Sequence, residues 1–172
     1  MVGIKPGEFG AVLRGLVELD LFDLDSIAKA FAAIEGDLGP VSLLTNNAGS
    51  FVAIGPIWTV EPETWWRDIE INIRGTFNCC RAAILAMMAR KRGRIINMTG
   101  GGTATSFPNG SGYATSKAGL LRFTECVSDS LAGSGVLVFA MDPGLVRTAM
   151  TEYQLLRTPI TITATIPRTG GV

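Results

Sequence analysis

The chain predicts an α/β fold: a parallel sheet covered by helices. Compact apolar runs recur at residues 41–45 (VSLLT), 94–98 (RIINM) and 136–141 (VLVFAM), and longer segments with helical spacing separate them. Each run ends in a turn-rich or polar cluster: Asn46-Asn47-Ala48-Gly49, Thr99-Gly100 and Asp142-Pro143-Gly144. Strand and helix alternating in this way is the signature of a parallel sheet with crossover helices. Ligands of such sheets bind beyond the carboxyl ends of the strands.

The elements follow in order. Residues 1–15 carry Gly3, Gly7 and Gly10. Their spacing is wrong for a phosphate-binding loop and no strand precedes them, so a flexible terminus is expected. Residues 16–21 (LVELDL) read as a short strand. Asp23 or Asp25 is the candidate cap of a helix from Ser26 to about Ile34, with Ile27, Ala30, Phe31 and Ile34 inward. Gly36 and Gly39-Pro40 end it. The run at 41–45 suits a buried parallel strand. Pro62 suits the first turn of a long helix to about Arg90. Its expected apolar side is Trp65, Ile69, Ile73, Phe77, Ile84 and Met88, and Asn72, Gly75 and Asn78 mark a kink. A strand at 94–98, a glycine link, a helix from about 112 to 131 and a strand at 136–141 complete the pattern, and no element is read after about Thr151.

Composition narrows the function classes. Hydrophobic residues make up 47% and charged residues 17% of the 172, so the chain is long and apolar enough for one domain with a sizeable core. Fifteen basic residues balance fifteen acidic ones, which gives no electrostatic case for nucleic acid or an anionic membrane surface as partner. No apolar run reaches the roughly 18 residues of a spanning helix, and residues 1–10 hold no signal-peptide core. The cysteines Cys79, Cys80 and Cys126 are odd in number and form no C-x-x-C; they read as reduced, buried residues of a cytoplasmic protein. Histidine is absent, which removes Ser-His-Asp and Cys-His catalysis and Cys-His zinc sites together; no metal site is expected.

Acid/base work must then fall to Tyr, Lys, Asp or Glu. Tyr113 and Lys117 stand four apart in a helical segment, so their side chains share one face. A free phenol titrates near pH 10, and a nearby ammonium lowers that value, which makes the pair a candidate general acid/base unit. Alone, such a pair is commonplace. Singly, Asn46-Asn47 reads as a turn, Asn72 as a kink residue and Pro143-Gly144 as a strand end. Jointly they converge on one edge of one sheet.

N-N-A-G after a strand, Asn72 in the next helix, Y-x-x-x-K and P-G-L-V-R-T after a later strand resemble the short-chain dehydrogenase/reductases, in order and spacing, from about residue 19 to residue 151. The resemblance implies a Rossmann-like doubly wound parallel sheet and hydride transfer between NAD or NADP and an alcohol or carbonyl substrate. It implies that Tyr113 exchanges a proton with the substrate oxygen. Lys117 would assist it and bind the nicotinamide ribose, and Asn72 would hold a water linking that lysine to solvent. Asn46, Ala48 and Gly49 resemble the loop on the adenosine side. Asp20 and Leu21 resemble a pair contacting adenine. Pro143, Gly144, Val146 and Thr148 resemble the segment flanking the nicotinamide.

Three departures qualify the likeness. The family's serine, thirteen residues before the tyrosine, is Gly100 here; Thr99 is the preferred substitute hydroxyl and Thr103 the second. The family's first strand, glycine-rich loop, helix and second strand have no counterpart, so the strand expected at 16–21 either pairs directly with the 41–45 strand or lies unpaired. The ending YQLLRTPITITATIPRTGGV does not resemble the family's continuation. The chain is therefore expected to be a single partial dinucleotide-binding domain over 1–172, with poorly defined tails at 1–15 and 151–172. Two functions compete: an oxidoreductase, and a catalytically silent truncated member acting as an interaction fragment. In either case the helices at 62–90 and 112–131 offer a surface for a homo-oligomer.

Overall fold

The computed structural model of the chain describes residues 17–146 and Met150. The elements are α1 (Leu24–Leu38), β1 (Leu43–Asn46), α2 (Pro62–Ile69), a π-helical segment (Glu70–Gly75), α3 (Thr76–Ala89), β2 (Gly93–Met98), α4 (Ser111–Ser130) and β3 (Val136–Met141). The strands pair in parallel in the order β1-β2-β3, with Leu44 beside Ile95 and Ile95 beside Val138. This is the expected α/β architecture, reached through the crossover helices the spacing predicted.

Register explains where the core lies. Side chains alternate between sheet faces. On one face Ile95 and Val138 are buried, joined by Cys80, Ala83 and Met87 of α3 and by Leu131 and Val136. Phe31 of α1 and Phe123 and Val127 of α4 close over this cluster. On the other face Leu43, Leu137 and Phe139 are each about half exposed, at 51%, 52% and 49%. Among the described residues, α1, α3 and α4 thus all cover the same side of the sheet.

Several local expectations are corrected. The segment 17–20 is not a strand, and a turn follows it at 21–22. Side chains here bond the backbone locally: Asp20 Oδ1 accepts from Phe22 N at 2.8 Å, and Asp20 N donates to Ser26 Oγ at 3.0 Å. Such bonds compete with a ladder. Asp23 is the α1 cap, accepting from Asp25 N. Gly36 lies inside the helix, which ends at Gly39 with φ 81°. The long helix at 62–90 is interrupted by the π-helical turn that carries Asn72 and Gly75, and such turns recur at functional sites. Its expected apolar stripe holds only in part: Trp65, Ile69, Ile73 and Ile84 are partly buried, but Phe77 is 47% and Met88 41% exposed, while Asn72, Gly75, Thr76, Cys79, Cys80, Ala83 and Met87 face inward. Phe77 and Met88 depart from it because α3 is apolar on both sides, so periodicity does not say which side is the core. Cys79 and Cys80 are buried as expected, but Cys126 is exposed.

Candidate active site

The site grows from the carboxyl ends of β1 and β2 and the first turns of α4. Residues 49–53 leave β1 as a loop and cross beneath α2 and the π-helical turn. Two side chains, one turn apart, grip this loop. Asn72, fully buried, accepts from Ser50 N at 2.7 Å and donates to Ser50 O at 2.9 Å. Asp68, also fully buried, accepts from Ser50 Oγ at 2.5 Å, from Val52 N at 3.1 Å and from Ala53 N at 3.0 Å. A buried carboxylate with several donors is the arrangement that makes its burial tolerable. The loop therefore has a fixed backbone.

Gly49 shows how close the approach is. A Cβ there would lie 3.3 Å from Asn72 Oδ1 and 3.7 Å from Lys117 Nζ. Glycine lets the loop backbone lie over both groups. Asn72 Nδ2 also donates to Ser116 Oγ at 2.8 Å, and Ser116 Oγ donates to Tyr113 O at 2.7 Å. Asn72 is thus linked to the first turn of α4, although its amide is bound to Ser50 and Ser116 rather than reaching toward Lys117.

Lys117 is buried, and its ammonium donates to Met98 O at 2.7 Å. That bond uses one of the three donors an ammonium carries. Burial pushes its pKa down to about 8, opposed by the Asp142 carboxylate. Lys117 Nζ lies 5.5 Å from the centre of the Tyr113 ring. The Tyr113 ring stacks on Phe51 with centroids 4.6 Å apart and lies 6.2 Å from Phe107. Burial, reinforced by the charge of Asp142, holds the Tyr113 phenol above its ordinary value. This corrects the expected lowering. The aromatic enclosure and the acidic neighbour outweigh an ammonium that sits over the ring and is tied to Met98.

Thr99 follows β2 and is buried, its amide donating to Met141 O at 2.9 Å. Thr103 is occupied with Gly100, its hydroxyl bonding the Gly100 carbonyl at 2.5 Å. At Gly100 a Cβ would fall 2.5 Å from Tyr113 Oη. The phenol lies where a side chain at that position would begin.

The remaining predicted residues separate into groups. Leu21, Asn46, Asn47, Ala48 and Gly75 border one cleft of about 120 Å³, so the loop after β1 and the Asp20-Leu21 turn do come together. The Asn46 amide, however, is turned inward: it donates to Asn97 Oδ1 at 2.8 Å and Cys80 Sγ at 3.3 Å, and Asn97 donates to Thr124 Oγ1 at 2.9 Å. Asp20 is exposed. Pro143, Gly144 and Val146 follow β3 at the same sheet edge and are exposed, with Gly144 N donating to Asp142 Oδ1 at 2.9 Å. Thr148 lies outside the described residues. A larger groove of about 500 Å³ between α1 and α3 contains none of these residues. The reading from sequence missed Phe51, Ser50, Asp68 and Ser116. Asp68 carried one available signal, an acidic residue four before Asn72 on the same helix.

Comparison with known proteins shows the family. A family model described as short chain dehydrogenase matches residues 13–157. The chain is 35% identical over 132 residues to the short chain dehydrogenase mpl6 of Monascus purpureus, covering 77% of this chain and 45% of that protein. It is 34% identical over 146 residues to a 2-(R)-hydroxypropyl-CoM dehydrogenase of Xanthobacter autotrophicus, covering 84% and 58%. Among solved structures, an NAD+-bound xylitol dehydrogenase superposes with a TM-score of 0.76 at 27% identity, over 81% of this chain and 54% of that one. A gluconate 5-dehydrogenase from Burkholderia cenocepacia, in complex with NADP and tartrate, gives 0.74 at 26% identity over 80% and 53%. The chain thus spans about half the length of these relatives. With the family model matching most of the sequence, the chain belongs to the short-chain dehydrogenase/reductase family.

Proposed function

We propose that this chain carries the proton-transfer half of an NAD(P)-dependent oxidoreductase acting on a small alcohol or carbonyl compound. The observation that supports it best is the placement of Tyr113 and a buried Lys117 on one face of α4, at the carboxyl edge of the sheet, with Gly49 close to the lysine. A buried ammonium beside a loop backbone without a side chain suits the ribose hydroxyls of a nicotinamide dinucleotide. When bound, that cofactor supplies the hydride chemistry. The protein's residues do the rest. Tyr113 gives a proton to the substrate oxygen in reduction and takes it back in oxidation. At neutral pH the phenol is protonated, the form that donates, and burial favours that form further. Lys117 binds the ribose and lends positive charge below pH 8. Thr99 is the hydroxyl assigned to the substrate oxygen in place of the family's serine. Asn72 fixes the loop against α4. Asp20, Leu21, Ala48, Gly49 and the backbone of Asn46 serve the adenosine side, and Pro143, Gly144, Val146 and Thr148 the nicotinamide side.

The test is thermal stability of the purified chain with excess NADH and, separately, NADPH. Ligand at 100 times its dissociation constant stabilises by about 2.7 kcal/mol. We expect a shift with one of them that disappears in Lys117→Ala. A cooperative melt that neither cofactor moves sinks the reading.

Two smaller readings accompany it. The exposed Phe77, Leu85 and Met88 on α3 support a homo-oligomer through this helix and α4; a monomer by sedimentation at high concentration removes that one. No described helix is long and apolar enough to cross a membrane. A cytoplasmic location rests on the free cysteines, and export to an oxidising compartment would contradict it.

A further inference from the structure

We propose that Asp68 is a positioning residue for Tyr113: its carboxylate fixes the loop at 50–53 so that Phe51 lies stacked on the tyrosine ring. Its catalytic meaning rests on the reading of Tyr113 as the acid/base. Asp68 touches neither Tyr113 nor Lys117 through the bonds described above, and acts through the loop. Both carboxylate oxygens are engaged: Oδ1 by Ser50 Oγ and Val52 N, Oδ2 by Val52 N and Ala53 N. These donors bracket Phe51. With Ser50 held on one side and Val52 and Ala53 on the other, the Phe51 backbone has little freedom. Its ring is 3% exposed, lies 4.6 Å from the Tyr113 ring at 26°, and meets Phe107 at 5.5 Å. Gly110, which precedes α4, makes room for the ring, since a Cβ there would come within 2.9 Å of Phe51 Cζ. The tyrosine is thereby held from two directions: Asn72 reaches its carbonyl through Ser116, and Asp68 reaches its ring through Phe51. A phenol that must meet a substrate oxygen within hydrogen-bond reach loses rate steeply when its ring is free to swing.

Ring-current shifts read the stacking directly. The full chain is labelled at tyrosine, and the Tyr113 ring resonances are assigned by their loss in Tyr113→Phe. In the parent they sit upfield of the unstacked position. Phe51→Leu removes that displacement and sets the scale. We expect Asp68→Asn, which cannot accept at both oxygens, to lose most of it, and Ser50→Ala a smaller part. Met87→Ala, a core change on α3, leaves the resonances in place. Unmoved resonances in folded Asp68→Asn overturn the proposal, as does an equal movement in Met87→Ala. If Asp68→Asn does not fold, Ser50→Ala decides: unmoved resonances there also overturn it. The NADH and NADPH melts are run in parallel on the parent. Loss of stacking in the variants without any cofactor shift in the parent removes the oxidoreductase reading and keeps the Asp68–Phe51–Tyr113 linkage. A cofactor shift with unmoved resonances does the reverse. Where the parent turns over an alcohol, Asp68→Asn lowers kcat with KM little changed.

Discussion

Asn46 and Asn72 look alike in the sequence, each a polar residue at the edge of an apolar element, yet they anchor two different buried clusters. Asn46 joins Asn97, Cys80 and Thr124 under the helices, between β1, β2, α3 and α4. Asn72 joins Ser50, Ser116 and, through the same loop, Asp68, next to Lys117 and Tyr113. The first cluster bonds elements of regular structure to one another and has no titratable group whose charge is needed. The second bonds a loop to a helix, and the loop carries Phe51, which stacks on Tyr113. A polar group buried between rigid elements stabilises the fold; a polar group that holds a loop also sets the geometry of a site.

Substitutions separate the two. The largest expected effect is at Asn97, which is fully buried and holds both Asn46 and Thr124. Asn97→Ala leaves those partners unsatisfied and opens a cavity; unfolding in urea should show a loss of about 3 kcal/mol, with the Tyr113 ring resonances unmoved. A shift of those resonances would merge the two clusters into one. Next comes Asn72→Ala, with a loss of about 2 kcal/mol as Ser50 loses a donor and an acceptor. Here cofactor-induced stabilisation should vanish as well, which Asn97→Ala, at a temperature where it is folded, should spare.

Gly100→Ser is expected to cost about 1–2 kcal/mol by overpacking, because its Cβ meets Tyr113 Oη at 2.5 Å. The family's serine therefore does not simply restore activity in this chain. A variant as stable as the parent with its Tyr113 resonances in place would show that the ring yields without cost. The smallest effect is one of pH. Lys117 has a folded pKa of about 8, below its ordinary 10.5. Between those values the unfolded chain binds the proton and the folded one does not, so stability from this group rises with pH across that window. Lys117→Met should flatten that rise, and the difference in urea midpoint between variant and parent should be largest below pH 8. Tyr113 acts oppositely: its raised pKa contributes stability that is lost as pH climbs above the ordinary phenol value.

The placement of the candidate residues was legible in the sequence where they lay on a single helix or at a strand's end. Tyr113 and Lys117 share a face because helical spacing puts them there, and Gly49 comes close to both Asn72 and Lys117 because strand ends and crossover helices gather at one edge. Reading failed where contact is made across distant segments. Nothing local distinguishes the inward Asn46 amide from one that faces a ligand, and nothing links Phe51 to Tyr113.

The sequence by itself determined the α/β class, the parallel strands, the irregular turn around Asn72 and Gly75, and the Tyr113–Lys117 pair. Period, turn chemistry and helical spacing are properties of neighbours along the chain, and they need no partner to be legible. Tertiary structure alone decided which side of α3 is buried, that residues 17–20 form no strand, which asparagine holds the loop beside Tyr113, and that burial raises the Tyr113 pKa where the lysine was expected to lower it. Each of those outcomes depends on what a group packs against, and solvent exposure and electrostatic environment exist only once distant segments have met.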